Sequence, residues 1–175
     1  MKFYVLIPVY KAEAFLPDCL HSVFAQTWQN FEIVLVDDGS PDGSGKLCDA
    51  YASQDARVHT LHQENTGPYG ARRTAIRYAL DHGAPDDWAV FLDADDSLKP
   101  KALEAIAGAA QDSGADLIFI GEDQVFEGKV LRPFPTEMAY LGTVTDKRQL
   151  YKIVFQDGWY NPLWKKAAPL RLLPR

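Results

Sequence analysis

The chain has 175 residues, 47% of them hydrophobic, with 24 acidic against 18 basic side chains and a formal net charge of −6. That is the size of one ordinary domain, too apolar for a disordered chain and too acidic for a general nucleic-acid binder. The uncharged apolar runs at 3–10, 33–36 and 117–120 fall far short of the ~18 residues a membrane-spanning helix needs, and Cys19 and Cys48 match no metal or disulfide spacing, so a cytoplasmic location is the default expectation.

Residues 3–9 read as a buried strand, with Pro8 better suited to a strand end than to a ladder interior. Lys11 and Glu13 stand where a leader peptide would carry small residues, so this run is not read as one. Leu16, Leu20, Val23 and Phe24 recur at helical spacing and predict a helix from about Ala14, with Pro17 in its first turn. A second strand over 31–36 is cut off by the turn cluster Asp37-Asp38-Gly39-Ser40-Pro41-Asp42-Gly43. A short helix over 46–51 and a strand over 58–61 follow. Ala71, Ala75, Ile76 and Ala79 mark a helix over 70–82, closed by Gly83 as a helix-terminating glycine. A fourth strand over 88–92 ends at Asp93-Ala94-Asp95-Asp96, an alanine-rich helix over 101–112 precedes Gly114, and 117–120 is a fifth strand. The alternation predicts an α/β fold, a mostly parallel sheet with helices on both faces. Beyond Gly121 the pattern blurs and the charge changes sign, from a balance of −12 over 1–146 to +6 over 147–175.

Ligands of open α/β sheets gather beyond the carboxyl ends of the strands. Three of those ends carry the distinctive residues: Pro8-Val9-Tyr10, Asp37-Asp38-Gly39-Ser40 and Asp93-Ala94-Asp95-Asp96. Five converging carboxylates repel one another unless a cation joins them, and Mg²⁺ or Mn²⁺ takes oxygen ligands together with phosphates. That chemistry points to a nucleoside diphosphate. The plainer alternative is that these aspartates form turns and solvated loops. Tyr10 is either a stacking platform for a base or an ordinary half-buried aromatic; Arg72 and Arg73 meet phosphate and base edges or are solvated helix charges. His62 reads as a strand-end histidine, with no Ser/His/Asp pattern around it. Residues 39–46 approximate a phosphate-binding loop, but the glycine before Gly45-Lys46 comes one position early and Leu47 replaces the required Ser or Thr. Asp93-Ala94-Asp95 also fits an aspartate-dependent phosphatase, a reading that leaves Asp37, Asp38 and Tyr10 unused.

Ile7-Pro8-Val9-Tyr10, then 19–27 from Cys19 to Thr27, Val36-Asp37-Asp38-Gly39-Ser40 with Asp42-Gly43-Ser44, Asn65-Thr66-Gly67 with Ala71-Arg72, and Phe91-Leu92-Asp93-Ala94-Asp95-Asp96 together resemble family 2 glycosyltransferases over about residues 3–120. The resemblance implies a GT-A fold and inverting, Mn²⁺- or Mg²⁺-dependent transfer from a nucleotide-sugar, usually a UDP-sugar, to a hydroxyl of a saccharide or lipid-linked acceptor. It implies that Pro8, Val9 and Tyr10 line the base and ribose site with Asp37 and Asp38, Asp38 contacting uracil, and that Arg72 lies beside the nucleotide. Asp93 and Asp95 would form the DXD motif, Asp95 facing ribose or metal and Asp96 ligating the metal. Residues 1–120 are then the nucleotide-sugar-binding core and 121–175 the start of an acceptor-side region. The chain departs from the family pattern at Lys11 and Arg73, where Asn is usual, and at Ala75, where Gly is common.

Inverting transfer needs a general base. In the family that carboxylate usually lies beyond a segment that Asn161-Pro162-Leu163-Trp164-Lys165-Lys166 resembles, and no Asp or Glu follows Trp164. Glu122, Asp123 and Asp157 remain as base candidates, and the expectation is a truncated chain. Two other functions fit: a nucleotide-sugar-binding module without transferase activity, or a sugar-nucleotide nucleotidyltransferase. The basic tail, with Leu163, Trp164, Leu170, Leu172 and Leu173 among its cations, either packs on the rest of the enzyme or touches an anionic membrane at its inner face.

Overall fold

The computed structural model describes residues 1–114, 117–120, 123–126, 129–132 and 166–173. The chain alternates β1 (Phe3–Val9), α1 (Leu16–Phe24), β2 (Phe31–Asp37), α2 (Ser44–Gln54), β3 (Val58–His62), α3 (Gly67–His82), β4 (Trp88–Phe91), α4 (Ala102–Ser113) and β5 (Ile118–Phe119). A small antiparallel pair, β6 (Gln124–Phe126) with β7 (Lys129–Arg132), follows, and β8 (Lys166–Pro169) runs into a short 3-10 turn, Leu170–Leu172. The main sheet has the order β3-β2-β1-β4-β8-β5. Its first four strands are parallel, and β8 is antiparallel to both of its neighbours.

Helices cover both faces, because side chains alternate across each strand. Val5, Ile7, Val9, Ile33 and Leu35 join Leu16, Leu20 and Val23 of α1 and Leu103, Ile106 and Ala107 of α4 in the larger core. Tyr4, Leu6, Val34, Val36, Ala89 and Phe91 pack on the other face against Ala71, Ala75 and Ala79 of α3. Three alanines on one helical stripe let α3 settle close to the sheet.

Pro8 occupies the last turn of the β1 ladder where its missing donor does no harm. Leu6 O accepts from Leu92 N–H at 3.1 Å, and the β1–β4 pairing stops at Leu6 with Phe91, so the β4-facing position of Pro8 lies beyond the last bond. There β1 and β4 part, and a crevice opens at the point where the connections change direction across the sheet.

Three features of the fold lie beyond what the sequence reading specifies. Strand β5 does not neighbour β4: β8, a Lys-Ala-Ala-Pro segment from the basic tail, lies between them, with Ala167 paired to both Val90 and Ile118. Leu170 is buried in the α3-side core rather than presented on an amphipathic surface, and Leu172 is exposed; Leu163 and Trp164 lie outside the described residues. Gly83 ends α3 in an extended conformation (φ −94°), so it is not there for a left-handed cap. A Cβ on it would sit 2.4 Å from Leu170 Cδ1 and 2.8 Å from Tyr4 Cε2, so glycine makes room for the returning tail. Among the described residues, no helix is long and apolar enough to cross a membrane.

Candidate functional site

The crevice between β1 and β4 is a cleft of about 430 Å³, bordered by the 8–12 loop, Phe15, Asp38, the start of α3 and Asp93-Ala94-Asp95. Pro8, Val9, Tyr10, Asp38, Arg72, Asp93 and Asp95 all line it. Arg73 is exposed on α3 and is not among the lining residues.

Asp37 and Asp38 part company because adjacent strand residues face opposite sides. Asp38, 2% exposed, turns toward the cleft and accepts hydrogen bonds from Gln63 Nε2 (2.6 Å), Thr66 N (2.9 Å), Thr66 Oγ1 (3.3 Å) and Gly67 N (2.9 Å). One carboxylate thereby shapes the loop that enters α3. The turn beyond it requires glycine: Gly39 has φ +67°, and a Cβ there would lie 3.0 Å from Asn65 N.

Asp37 instead faces α2 and β3. Its Oδ1 accepts from Ser40 N at 3.1 Å and its Oδ2 lies 3.0 Å from His62 Nδ1, whose Nε2 is 2.9 Å from Asp49 Oδ1. Burial works against ionised Asp37, but the bonds from Ser40 and His62 outweigh it and hold the carboxyl below its ordinary pKa. The hydrogen bond to Asp37, then that to Asp49, raises His62. His62 is thus a strut behind the site. The glycines resembling a phosphate loop are also structural: Gly43 N donates to Glu13 Oε2 at 2.8 Å, and a Cβ on Gly45 would meet Asp37 Oδ2 at 2.7 Å.

At the β4 end, Asp93, Asp95 and Asp96 bring one carboxylate oxygen each within 4.8 Å of one another. Asp93 Oδ1 is bonded by Arg72 Nη2 at 2.5 Å, and Arg72 is only 8% exposed, so this charge is neutralised inside the cleft wall. The cluster offers hard oxygen donors of the kind Mg²⁺ and Mn²⁺ prefer. Cys19 lies behind it; burial first, then Asp96, Asp95 and Asp93, push its thiol up to about 12, which leaves it no nucleophile at neutral pH.

The loop after this cluster is clamped by α1. Buried Gln26 donates from Nε2 to Ser22 O (2.9 Å) and Lys99 O (2.8 Å) and accepts from Leu103 N (3.0 Å), and Ser22 Oγ accepts from Leu98 N at 3.0 Å. Asp123 is ion-paired with Lys99 at 2.6 Å, three residues beyond Asp96; Glu122 and Asp157 lie outside the described residues. Sequence reasoning missed Phe15 and Pro68 as cleft residues. Phe15 is 54% exposed, and the helical period had placed it inside α1, whereas α1 begins at Leu16.

A mostly parallel α/β sheet with helices on both faces and a cleft at the switch of strand order is an architecture this chain shares with glycosyltransferases of the GT-A fold. The crystal structure of S. aureus TarS residues 1–349 in complex with UDP is similar at a TM-score of 0.74 and 24% identity over 99% of this chain and 48% of that one. The same TarS piece in complex with UDP-GlcNAc gives a TM-score of 0.71 at 23% identity, over 99% and 46%. The profile of Glycosyl transferase family 2 matches residues 4–168, and the chain belongs to that family. Glycosyltransferase GlyG of Streptococcus pneumoniae serotype 4 is 38% identical over 114 residues, 65% of this chain and 36% of the relative. The uncharacterized glycosyltransferase YibD of Escherichia coli K12 is 30% identical over 166 residues, 93% and 47% respectively. The chain therefore spans about a third to a half of the length of these relatives.

Proposed function

We propose that the cleft binds a UDP-sugar and that the chain carries the donor-binding part of a metal-dependent, inverting glycosyltransferase acting on a hydroxyl of a saccharide or lipid-linked acceptor. The observation that carries this is the meeting of Tyr10, Asp38, Arg72, Asp93 and Asp95 on one cleft, with Asp96 beside them. UDP and UDP-GlcNAc in the similarly folded TarS support it.

Tyr10, 47% exposed, offers its ring to the uracil. Asp38 holds the 63–67 loop and so sets the far wall of the nucleotide site. Arg72, fixed by Asp93, presents a guanidinium edge beside the nucleotide. Asp95 and Asp96 would hold Mn²⁺ or Mg²⁺, which supplies positive charge against the leaving diphosphate. Asp123 is the base candidate among the described residues, and that role requires its release from Lys99.

Calorimetric titration with UDP, with and without Mn²⁺, tests the reading. Mn²⁺ should strengthen UDP binding, and Asp95→Ala with Asp96→Ala should abolish that gain. A chain that does not bind UDP, or whose binding ignores both substitutions, refutes it.

A further inference from the structure

We propose that Lys11 meets the phosphate oxygens of the bound nucleotide, so that this chain reads the diphosphate with an ammonium as well as through its aspartate cluster. The proposal rests on the nucleotide reading above.

Lys11 is the non-glycine residue with positive φ among the described residues, at +52°. That left-handed conformation is disfavoured by any Cβ and persists where the surroundings over-determine it, most often at ligand sites. Here the surroundings do so from both sides. Lys11 N donates to Ser40 Oγ (3.3 Å), Ala12 N donates to buried Ser44 Oγ (2.9 Å), and Ser44 Oγ in turn donates to Asp42 Oδ1 (2.6 Å). The side chain therefore leaves from a fixed point on the cleft wall.

Its charge is uncommitted to protein carboxylates. Among the described residues, two cations line the cleft, Arg72 and Lys11. Arg72 is engaged by Asp93, whereas no carboxylate among the described residues pairs with Lys11, whose ammonium rests 5.3 Å from the Tyr10 ring centroid. Charge balance then identifies its counterpart. Arg72 offsets Asp93, and a divalent ion shared between Asp95, Asp96 and the diphosphate would bring no more charge than those two aspartates already carry. The diphosphate of a nucleotide-sugar still carries negative charge in a cleft that also holds Asp38, and among the described residues Lys11 is the lining cation not paired with a carboxylate. An ammonium, a compact charge with three donors, suits a phosphate oxygen. Asn would relax the backbone here, since Asn tolerates the left-handed region, but would bring no charge.

The test compares the whole chain with Lys11→Asn and Lys11→Arg in titrations of uridine and UDP, without metal and with Mn²⁺. Asn suits the backbone, so Tm should not fall, which removes misfolding as an explanation. Lys11→Asn should weaken UDP about ten-fold, the size of one charge-assisted hydrogen bond, in both metal conditions, leave uridine within about two-fold, and be rescued by Lys11→Arg. Unchanged UDP binding overturns the proposal. So does an equal loss for uridine and UDP, which would mean that the lysine acts on the Tyr10 ring. A wild-type chain that binds no UDP overturns the nucleotide reading itself, a result distinct from either.

Discussion

Asp38 offers a sharp separation between holding a site together and touching its ligand. Its Oδ1 accepts from Gln63 Nε2, Thr66 N and Thr66 Oγ1, and its Oδ2 from Gly67 N. Asp38→Asn, with its carbonyl in the Oδ1 position, keeps the first three bonds and turns an amide donor toward Gly67 N–H. Asp38→Ala removes all four acceptors. A hydrogen bond to a charged group contributes about 1.5–3 kcal/mol when well buried, and the Thr66 and Asn65 side of this loop is exposed, so a value near 1 kcal/mol per bond is the fair one. Asp38→Asn should then cost about 1 kcal/mol and Asp38→Ala about 3–4 kcal/mol. For a chain of this size the latter lowers Tm by about 6–16 °C. Urea denaturation measures both, and amide hydrogen exchange should accelerate at Thr66 and Gly67 in the alanine variant before it does in β1 or β2. Equal costs for the two variants, or exchange at Thr66 and Gly67 unchanged in Asp38→Ala, would refute the account.

Three further expectations follow from contacts distant in the chain. His62 is raised by its bond to Asp37 and then to Asp49, so its stabilising contribution is complete below the ordinary histidine value of ~6.5 and is lost as pH rises through the raised folded-state value. Titration by NMR should find His62 above that value and Asp49→Asn should lower it; an ordinary value in the wild type contradicts the strut. Gln26→Ala orphans the buried Leu103 N–H and frees the loop that follows Asp96, at a cost of about 2–4 kcal/mol, and an effect under about 0.5 kcal/mol in urea denaturation would show that the clamp is unimportant. Leu170→Ala should cost about 2–4 kcal/mol, because its side chain is 1% exposed against α3 and β1; a near-neutral result would mean that the tail does not belong to the core.

Much of the fold is legible in the residues. Turn chemistry at 37–43 and 93–96 and apolar runs of strand length mark β1, β2 and β4 and the ends where the cleft forms, because period and turn preference are local properties. Element ends are less so: α1 begins two residues later than its apolar period suggests, α3 three residues earlier. The alternation rule also leads one to expect Asp37 and Asp38 to turn to different sides where β2 ends, yet it does not say which of them faces the cleft.

That choice belongs to the tertiary structure, and so do other features of the fold. Lys-Ala-Ala-Pro has no strand signature of its own, and β8 exists because the edges of β4 and β5 supply its hydrogen-bond partners. Gly83 does end α3, as its position in the sequence suggests, but why it must be glycine shows only when Leu170 arrives beside it. Lys11 looks like one more surface lysine until its backbone proves to be pinned between Ser40 and Ser44. From its sequence alone the chain determines which strand ends carry charge and that they resemble a family 2 glycosyltransferase. Which charges cancel one another, which face the cleft and which strand completes the sheet depend on residues far apart in the chain, as in Arg72 with Asp93 or Trp88 with Pro169; only packing brings such residues within the few ångströms at which hydrogen bonds and ion pairs act.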